Sequence, residues 1–183
     1  EGKGLLLKTF ADINVFDIEV DTEDPEEFIQ TVCNISKTFG GINLEDIKAP
    51  ECFEIERRIA EATDIPVMHD DQHGTAIISG AALLNAAEIQ EKELAELKVV
   101  VAGAGASAIA CANHYIALGV TLENILMCDS QGIMTKKRLD NGELNQYKAT
   151  FAADHEGGDL GDALEGADVF LGLSRGGLVN GEM

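Results

Sequence analysis

Apolar and polar positions follow two rhythms along the chain. Residues 13–20, INVFDIEV, alternate as a half-buried strand does, and LLLKTFA at 5–11 reads as a second β-like stretch before it. From residue 21 the period lengthens. In DTEDPEEFIQTVCNISKTFGG, Phe28, Ile29, Val32, Ile35 and Phe39 form one helical stripe. Pro25 sits early in that helix, acids fill its first turn, and Gly40-Gly41 marks its end. INLEDI then predicts a short strand, ECFEIERRIAEAT an amphipathic helix, and IPVMHDD a strand running out into a loop. From Thr75 to about Gln90 the pattern is helical and rich in small residues, so this helix should pack closely against a neighbour.

The second half repeats the alternation. KVVVAGAGASAIACANHYIALGV reads as an apolar strand, a glycine turn and a helix. NILMCDS is a buried strand, 143–153 and DLGDALEGA are helical, and DVFLGLS is a further strand. Alternating strands and helices predict an α/β fold with parallel sheets. The polar stretch EIQEKELAELK places the division between two parts near residues 85–97. There is no internal repeat and no low-complexity tract.

Composition narrows the classes. The 183 residues can bury a real core, at 45% hydrophobic and 25% charged content. No apolar run approaches the roughly 20 residues of a membrane span, and EGKGLLLKTFADINVF lacks the pattern of a signal peptide. A net charge of −20, with no basic cluster beyond Lys136-Lys137-Arg138, argues against nucleic acid or an anionic membrane as partner. Cys33, Cys52, Cys111 and Cys128 are widely spaced and make no CxxC pair. They read as small buried hydrophobes in a reducing cytoplasm.

The glycine turn carries the first chemistry. Gly103-Ala104-Gly105-Ala106-Ser107-Ala108 follows a strand and opens a helix. In such a turn the first glycine permits the bend, the second lets backbone approach a pyrophosphate, and the third slot must be small. The free N–H groups of the helix start then meet the phosphates. Asp129 ends the next strand, 26 residues beyond Gly103, where an acid can accept from a ribose hydroxyl. Strand, turn, helix, strand and acid together predict a Rossmann-type NAD(P)-binding domain over 91–183. Asp129 favours a free 2′-hydroxyl. Ser130 and Lys136-Lys137-Arg138 either supply compensating charge for a 2′-phosphate or form a solvated hairpin rim.

The second candidate is IPVMHDDQHGTA. Its His-x-x-x-His spacing suggests zinc, but a zincin needs Glu after the first histidine, and here that place is Asp70. Glu45-Asp46 also stands where a short strand gives way to loop. Glu45, Asp46 and Asp71 from two loops would make a hard oxygen site for Mg²⁺ or Mn²⁺, against the plainer reading of two solvated acidic turns.

Taken in order, EGK, FADINVFDIEV, INLEDIKAPECFEIE, IPVMHDDQHGTA, GAGASAIA, CDSQG and ADVFLGLS resemble the malic enzyme family, in its bacterial branch, over essentially the whole chain. The resemblance implies oxidative decarboxylation of malate to pyruvate and CO₂ with reduction of NAD(P)⁺, NADP being slightly favoured, and dependence on a divalent metal. It implies Glu45, Asp46 and Asp71 as metal ligands, Lys3 as general base with a pKa lowered by its surroundings, and Asp70 as the acid paired with it. Residues 104–107 match the phosphate turn. His69 and His73 are read as supporting or structural. Residues 1–90 would then be part of a metal- and substrate-binding domain, in a cytoplasmic homo-oligomer.

The chain also departs from that family. Its proton-donating tyrosine lies upstream of the lysine and has no match here, since Tyr115 and Tyr147 fall in the second half. The family's substrate-binding asparagine segments have no match either. SRGGLVNGEM, with Ser174 and Asn180, follows the family only loosely. The chain therefore reads as an internal piece of a larger enzyme. Two other readings stay open: a non-catalytic dinucleotide-binding or interaction module, and another two-domain dehydrogenase.

Overall fold

A computed structural model describes residues 2–181 and Met183. The chain begins with helix α1 (Gly2–Ala11). Helix α2 (Pro25–Ile35) follows, with the Asp24 carboxylate accepting the Glu26 N–H and Pro25 in its first turn. Strand β1 (Ile42–Leu44), helix α3 (Glu51–Ala62) and strand β2 (Val67–His69) come next. The long helix α4 (Asp70–Ile89) starts directly at the end of β2. The second half runs β3 (Val99–Ala102), α5 (Ala106–Leu118), β4 (Ile125–Asp129) and β5 (Gly132–Ile133). Short helices α6 (Lys136–Asp140), α7 (Gln146–Ala149) and α8 (Leu160–Leu164) lead to β6 (Val169–Gly172).

Two sheets organise these elements. β1 and β2 pair in parallel, with Leu44 opposite His69, and α2 and α3 cover them by packing Ile29, Val32, Ile55 and Ile59 around Leu44. The larger sheet has the order β5-β4-β3-β6, parallel except for the β4–β5 pair. Every residue of β3 is buried. Val99 and Val101 face a core shared with Leu83, Ala112 and Tyr115 of α4 and α5, while Val100 packs on the other side with Cys128 and Ala163. A strand covered by helices on both faces accounts for the unbroken apolar run Val99–Ala102. Because β4 lies on one side of β3 and β6 on the other, the crevice at the carboxyl end of β3 is a topological switch point. The glycine turn stands there.

The small residues of α4 serve close packing as expected: a Cβ on Gly80 would lie 2.6 Å from the His114 ring of α5. Other expectations need correction. LLLKTFA is helical, because a short apolar run is compatible with either element and Leu, Lys and Ala favour the helix. Residues 13–20 form no strand and are largely exposed; alternation needs a partner ladder, and no described strand lies alongside. No loop follows β2, since Asp70 and Asp71 form the first turn of α4, where the helix dipole favours carboxylates. The helix expected over 143–153 spans only Gln146–Ala149, because Asn145 caps it and Ala153 turns away to bridge Thr135. Lys136-Lys137-Arg138 is not a hairpin rim but the start of α6, capped by Thr135 accepting the Arg138 N–H.

Candidate functional site

The register of β1 and β2 determines where the acids emerge. With Leu44 opposite His69, the next residues of both strands, Glu45-Asp46 and Asp70-Asp71, leave the sheet side by side at its carboxyl edge. Asp46 takes a left-handed conformation, φ 58°, which aspartate tolerates better than most residues, and its N–H donates to Asp71 Oδ2 at 3.0 Å. Lys3 reaches in from α1. Its Nζ donates to Asp70 Oδ2 at 2.5 Å and lies 3.5 Å from Glu45 Oε1. Glu45 also accepts from Asn43 Nδ2 at 2.8 Å.

Four of the residues singled out by sequence therefore share one edge, with Lys3 between two of them. Among the described residues, however, no three acidic, His or Cys side chains are grouped as a ready metal site. Lys3 also differs from the expected base. Its hydrogen bond to Asp70 outweighs burial and, with Glu45, raises its pKa above the ordinary lysine value. In this arrangement Lys3 is an ammonium held between carboxylates.

Residues that sequence reasoning passed over support the edge. Glu56 of α3 accepts the His69 backbone N–H at 2.8 Å and Gln72 Nε2 at 3.1 Å, and its Oε2 lies 3.0 Å from His73 Nε2. It holds the first turn of α4 from outside, with His73 among its partners. Gly74 is needed one turn after Asp70: a Cβ there would meet Asp70 Oδ1 at 2.5 Å. The i, i+4 spacing was the only available hint for Gly74. Nothing in the pattern of α3 marked Glu56. His69 is fully buried, and among the described residues neither ring nitrogen has a hydrogen-bond partner.

The glycine turn lies beside this edge. Gly103 has φ +131°, and a Cβ on it would strike the Leu173 carbonyl oxygen at 2.5 Å. A Cβ on Gly105 would meet nothing within 4 Å, so the backbone there is open to a ligand. Ala106 opens α5, and the small, buried Ala108 lets it pack on the sheet. Ala104 packs against the core. The Ser107 hydroxyl donates to the Asp71 carbonyl oxygen at 2.5 Å, tying the turn to the acidic edge.

Asp129 ends β4 as expected but is not a free carboxylate. Arg138 grips it with two 2.9 Å hydrogen bonds, the Gln131 N–H donates to it at 2.9 Å, and Lys148 Nζ stands 3.7 Å away. Burial works to raise its pKa, but the Arg138 fork and its other partners outweigh this and hold it below the ordinary value of 3.8. The pair's contribution to stability is thus complete above that value and lost as pH falls through the depressed one. Asp129→Asn is expected to flatten this part of the acid limb in unfolding midpoints measured from about pH 5 to 2.

The chain was compared with known proteins. The family models described as "Malic enzyme, N-terminal domain" and "Malic enzyme, NAD binding domain" match residues 1–60 and 72–170. The NADP-dependent malic enzyme of Halomonas elongata is 56% identical over 100% of this chain and 42% of its own length. The NADP-dependent enzyme of Escherichia coli is 53% identical, and the NAD-dependent enzyme of Rhizobium meliloti 50%, each over 100% of this chain and 24% of its own length. The chain thus spans less than half the length of these curated relatives. Among solved structures, the NAD-dependent malic enzyme of Thermotoga maritima superimposes with a TM-score of 0.90 at 43% identity, covering 98% of this chain and 48% of that one. The malic enzyme of Entamoeba histolytica gives 0.89 at 35% identity, covering 98% and 40%. With both halves matched in order and the fold shared along its length, the chain belongs to the malic enzyme family.

Proposed function

We propose that the full-length protein oxidatively decarboxylates malate to pyruvate and CO₂, reducing NAD(P)⁺ with the help of Mg²⁺ or Mn²⁺. The observation that carries this reading is the convergence of Glu45, Asp46, Asp70 and Asp71 at one edge, with Lys3 among them and Ser107 of the glycine turn bonded to Asp71. The residues suit both absent groups. Glu45, Asp46 and Asp71 are hard oxygen donors of the kind those cations take, and the open backbone at Gly105 leads into the start of α5, where a pyrophosphate is favoured.

A nicotinamide bound at the glycine turn would supply a hydride acceptor, and a divalent ion held by Glu45, Asp46 and Asp71 would supply positive charge for the substrate oxygens. The chain's own part is positioning and proton transfer. Lys3 takes the proton of the C2 hydroxyl, and Asp70 aims the amine that receives it. Lys3 must first lose a proton, which its present carboxylate neighbours oppose. Drawing Glu45 toward a cation and excluding water from the edge would both lower its pKa. Glu56 and Gly74 keep the first turn of α4, and so Asp70, in place. The division of labour between residues 1–90 and 91–183 belongs to the same proposal, although Leu83 and Ala87 of α4 pack into the core of the second half.

NADP is the favoured cofactor in this reading. The charge of Asp129 is already taken up by Arg138, and Lys148 is close by, so a 2′-phosphate would meet cations instead of a bare carboxylate. Arg138→Gln is expected to raise KM for NADP⁺ at least roughly tenfold relative to that for NAD⁺, as the loss of a charge-assisted contact would. An unchanged KM ratio would contradict the assignment.

The homo-oligomer, the cytoplasmic setting and the absence of nucleic-acid and membrane partners are proposed on the same footing. Leu5, Phe10 and Phe16 expose apolar surface that further chain or a second copy would cover. All four cysteines are free thiols, and no described helix is long and apolar enough to cross a membrane. The deciding experiment is a malate assay of the full-length protein with each nicotinamide, with and without Mn²⁺. Metal-dependent NAD(P)H formation is expected, and its absence with both cofactors would reject the proposal.

A further inference from the structure

His69 presents an energetic anomaly. It is the last residue of β2, 0% exposed, and among the described residues neither ring nitrogen has a hydrogen-bond partner. A buried imidazole with neither nitrogen bonded is costly, and leucine or methionine would fill such a site with no polar penalty. Its backbone is not the reason for keeping it, because the N–H that donates to Glu56 would be present in any residue but proline.

Nε2 stands 3.6 Å from Asp71 Oδ2, just outside hydrogen-bonding reach. That same oxygen accepts the Asp46 N–H at 3.0 Å. Oδ2 is thus the oxygen turned toward the protein. Among the described residues no donor reaches Oδ1, and the Asp71 side chain is 43% exposed. We infer that His69 is a positioning residue for Asp71: as the Nε2–H tautomer it donates to Oδ2 when a divalent cation occupies the edge, holding the carboxylate so that Oδ1 faces the ion.

The inference rests on the metal site proposed above. Carboxylates that bind metal are themselves held by outer donors, and removing such a donor weakens binding roughly 10–100-fold. A small movement of Asp71 brings Oδ2, now 3.6 Å away, into hydrogen-bonding reach of Nε2. Binding a cation would relieve the polar cost at Nε2 and leave that at Nδ1, so metal affinity and metal-free stability should respond to His69 in opposite directions.

The test uses full-length protein with methionine and glutamine at this position, which match in size but differ in the donor. Mn²⁺ binding is followed by electron paramagnetic resonance, and metal-free stability by thermal unfolding. His69→Met is expected to weaken Mn²⁺ binding roughly 10–100-fold, while its metal-free Tm equals or exceeds that of wild type. His69→Gln is expected to recover most of the affinity. Wild-type affinity in His69→Met, or equal loss in both variants, would overturn the inference. So would a metal-free His69→Met protein that fails to fold or melts well below wild type, since the imidazole would then be stabilising the empty state. Asp71→Asn separates this from failure of the metal site itself. If Asp71→Asn binds Mn²⁺ as wild type does, the site is wrong; if it loses binding while His69→Met does not, only the role of His69 is wrong.

Discussion

Asp71→Asn is expected to weaken Mn²⁺ binding by roughly two to three orders of magnitude, consistent with the several kcal/mol a charged oxygen ligand contributes around a divalent ion. The side chain keeps its shape, so the Asp46 N–H still finds an oxygen and the Ser107 contact, made to the backbone, is untouched. The fold should therefore survive. Loss of a carboxylate from the first turn of α4 costs about 0.3–1 kcal/mol of helix-dipole stabilisation. Relief of repulsion within a crowded acidic edge offsets part of that. Metal titration and thermal unfolding on the same sample check both halves: a large fall in affinity with a melting temperature within a few degrees of wild type. Equal loss of both would mean that Asp71 is a structural cap and nothing more.

Lys3→Arg is expected to lower kcat by roughly 10²–10⁴-fold, the range associated with loss of a general base. Arginine keeps the positive charge beside Asp70 and Glu45, preserving the electrostatics of the edge, but it does not give up its proton at working pH. Mn²⁺ affinity and the apparent KM for the dinucleotide should stay near wild type, because neither depends on proton transfer at this position. Steady-state kinetics with saturating metal separates the outcomes. A variant that keeps wild-type kcat would assign Lys3 a purely electrostatic part, in line with its raised pKa in the present arrangement.

Much of the second half was legible because its signals are backbone requirements. Gly103 and Gly105 are dictated by a tight turn and an open approach, and the short β-branched run Val99–Val101 just before them suits a strand covered on both faces. The acidic edge was legible in part. Glu45, Asp46, Asp70 and Asp71 stood out as residue types at strand ends, yet their meeting depends on the register Leu44–His69, which no local pattern encodes. Glu56 was invisible for a related reason. On an exposed face it would be one more surface acid, and only the packing of α3 beside β2 turns it into an acceptor for three donors. Residues 13–20 show the converse: alternation describes what a segment can bury, while strand formation depends on a neighbour elsewhere in the assembly. Asp70–Gly74 is helix and not loop because its acids and glycine serve a helix start, which polarity alone does not distinguish from a turn.

The central claim is spatial: Glu45, Asp46 and Asp71 surround a single divalent ion beside Lys3 and the dinucleotide cleft. Crystals of the full-length protein grown with Mn²⁺ test it through anomalous scattering at the manganese edge. The expected result is one strong peak bounded by oxygens of those three side chains, at roughly 2.0–2.2 Å as such cations require. A peak held by other residues, or none at that edge with the metal saturating, would contradict it.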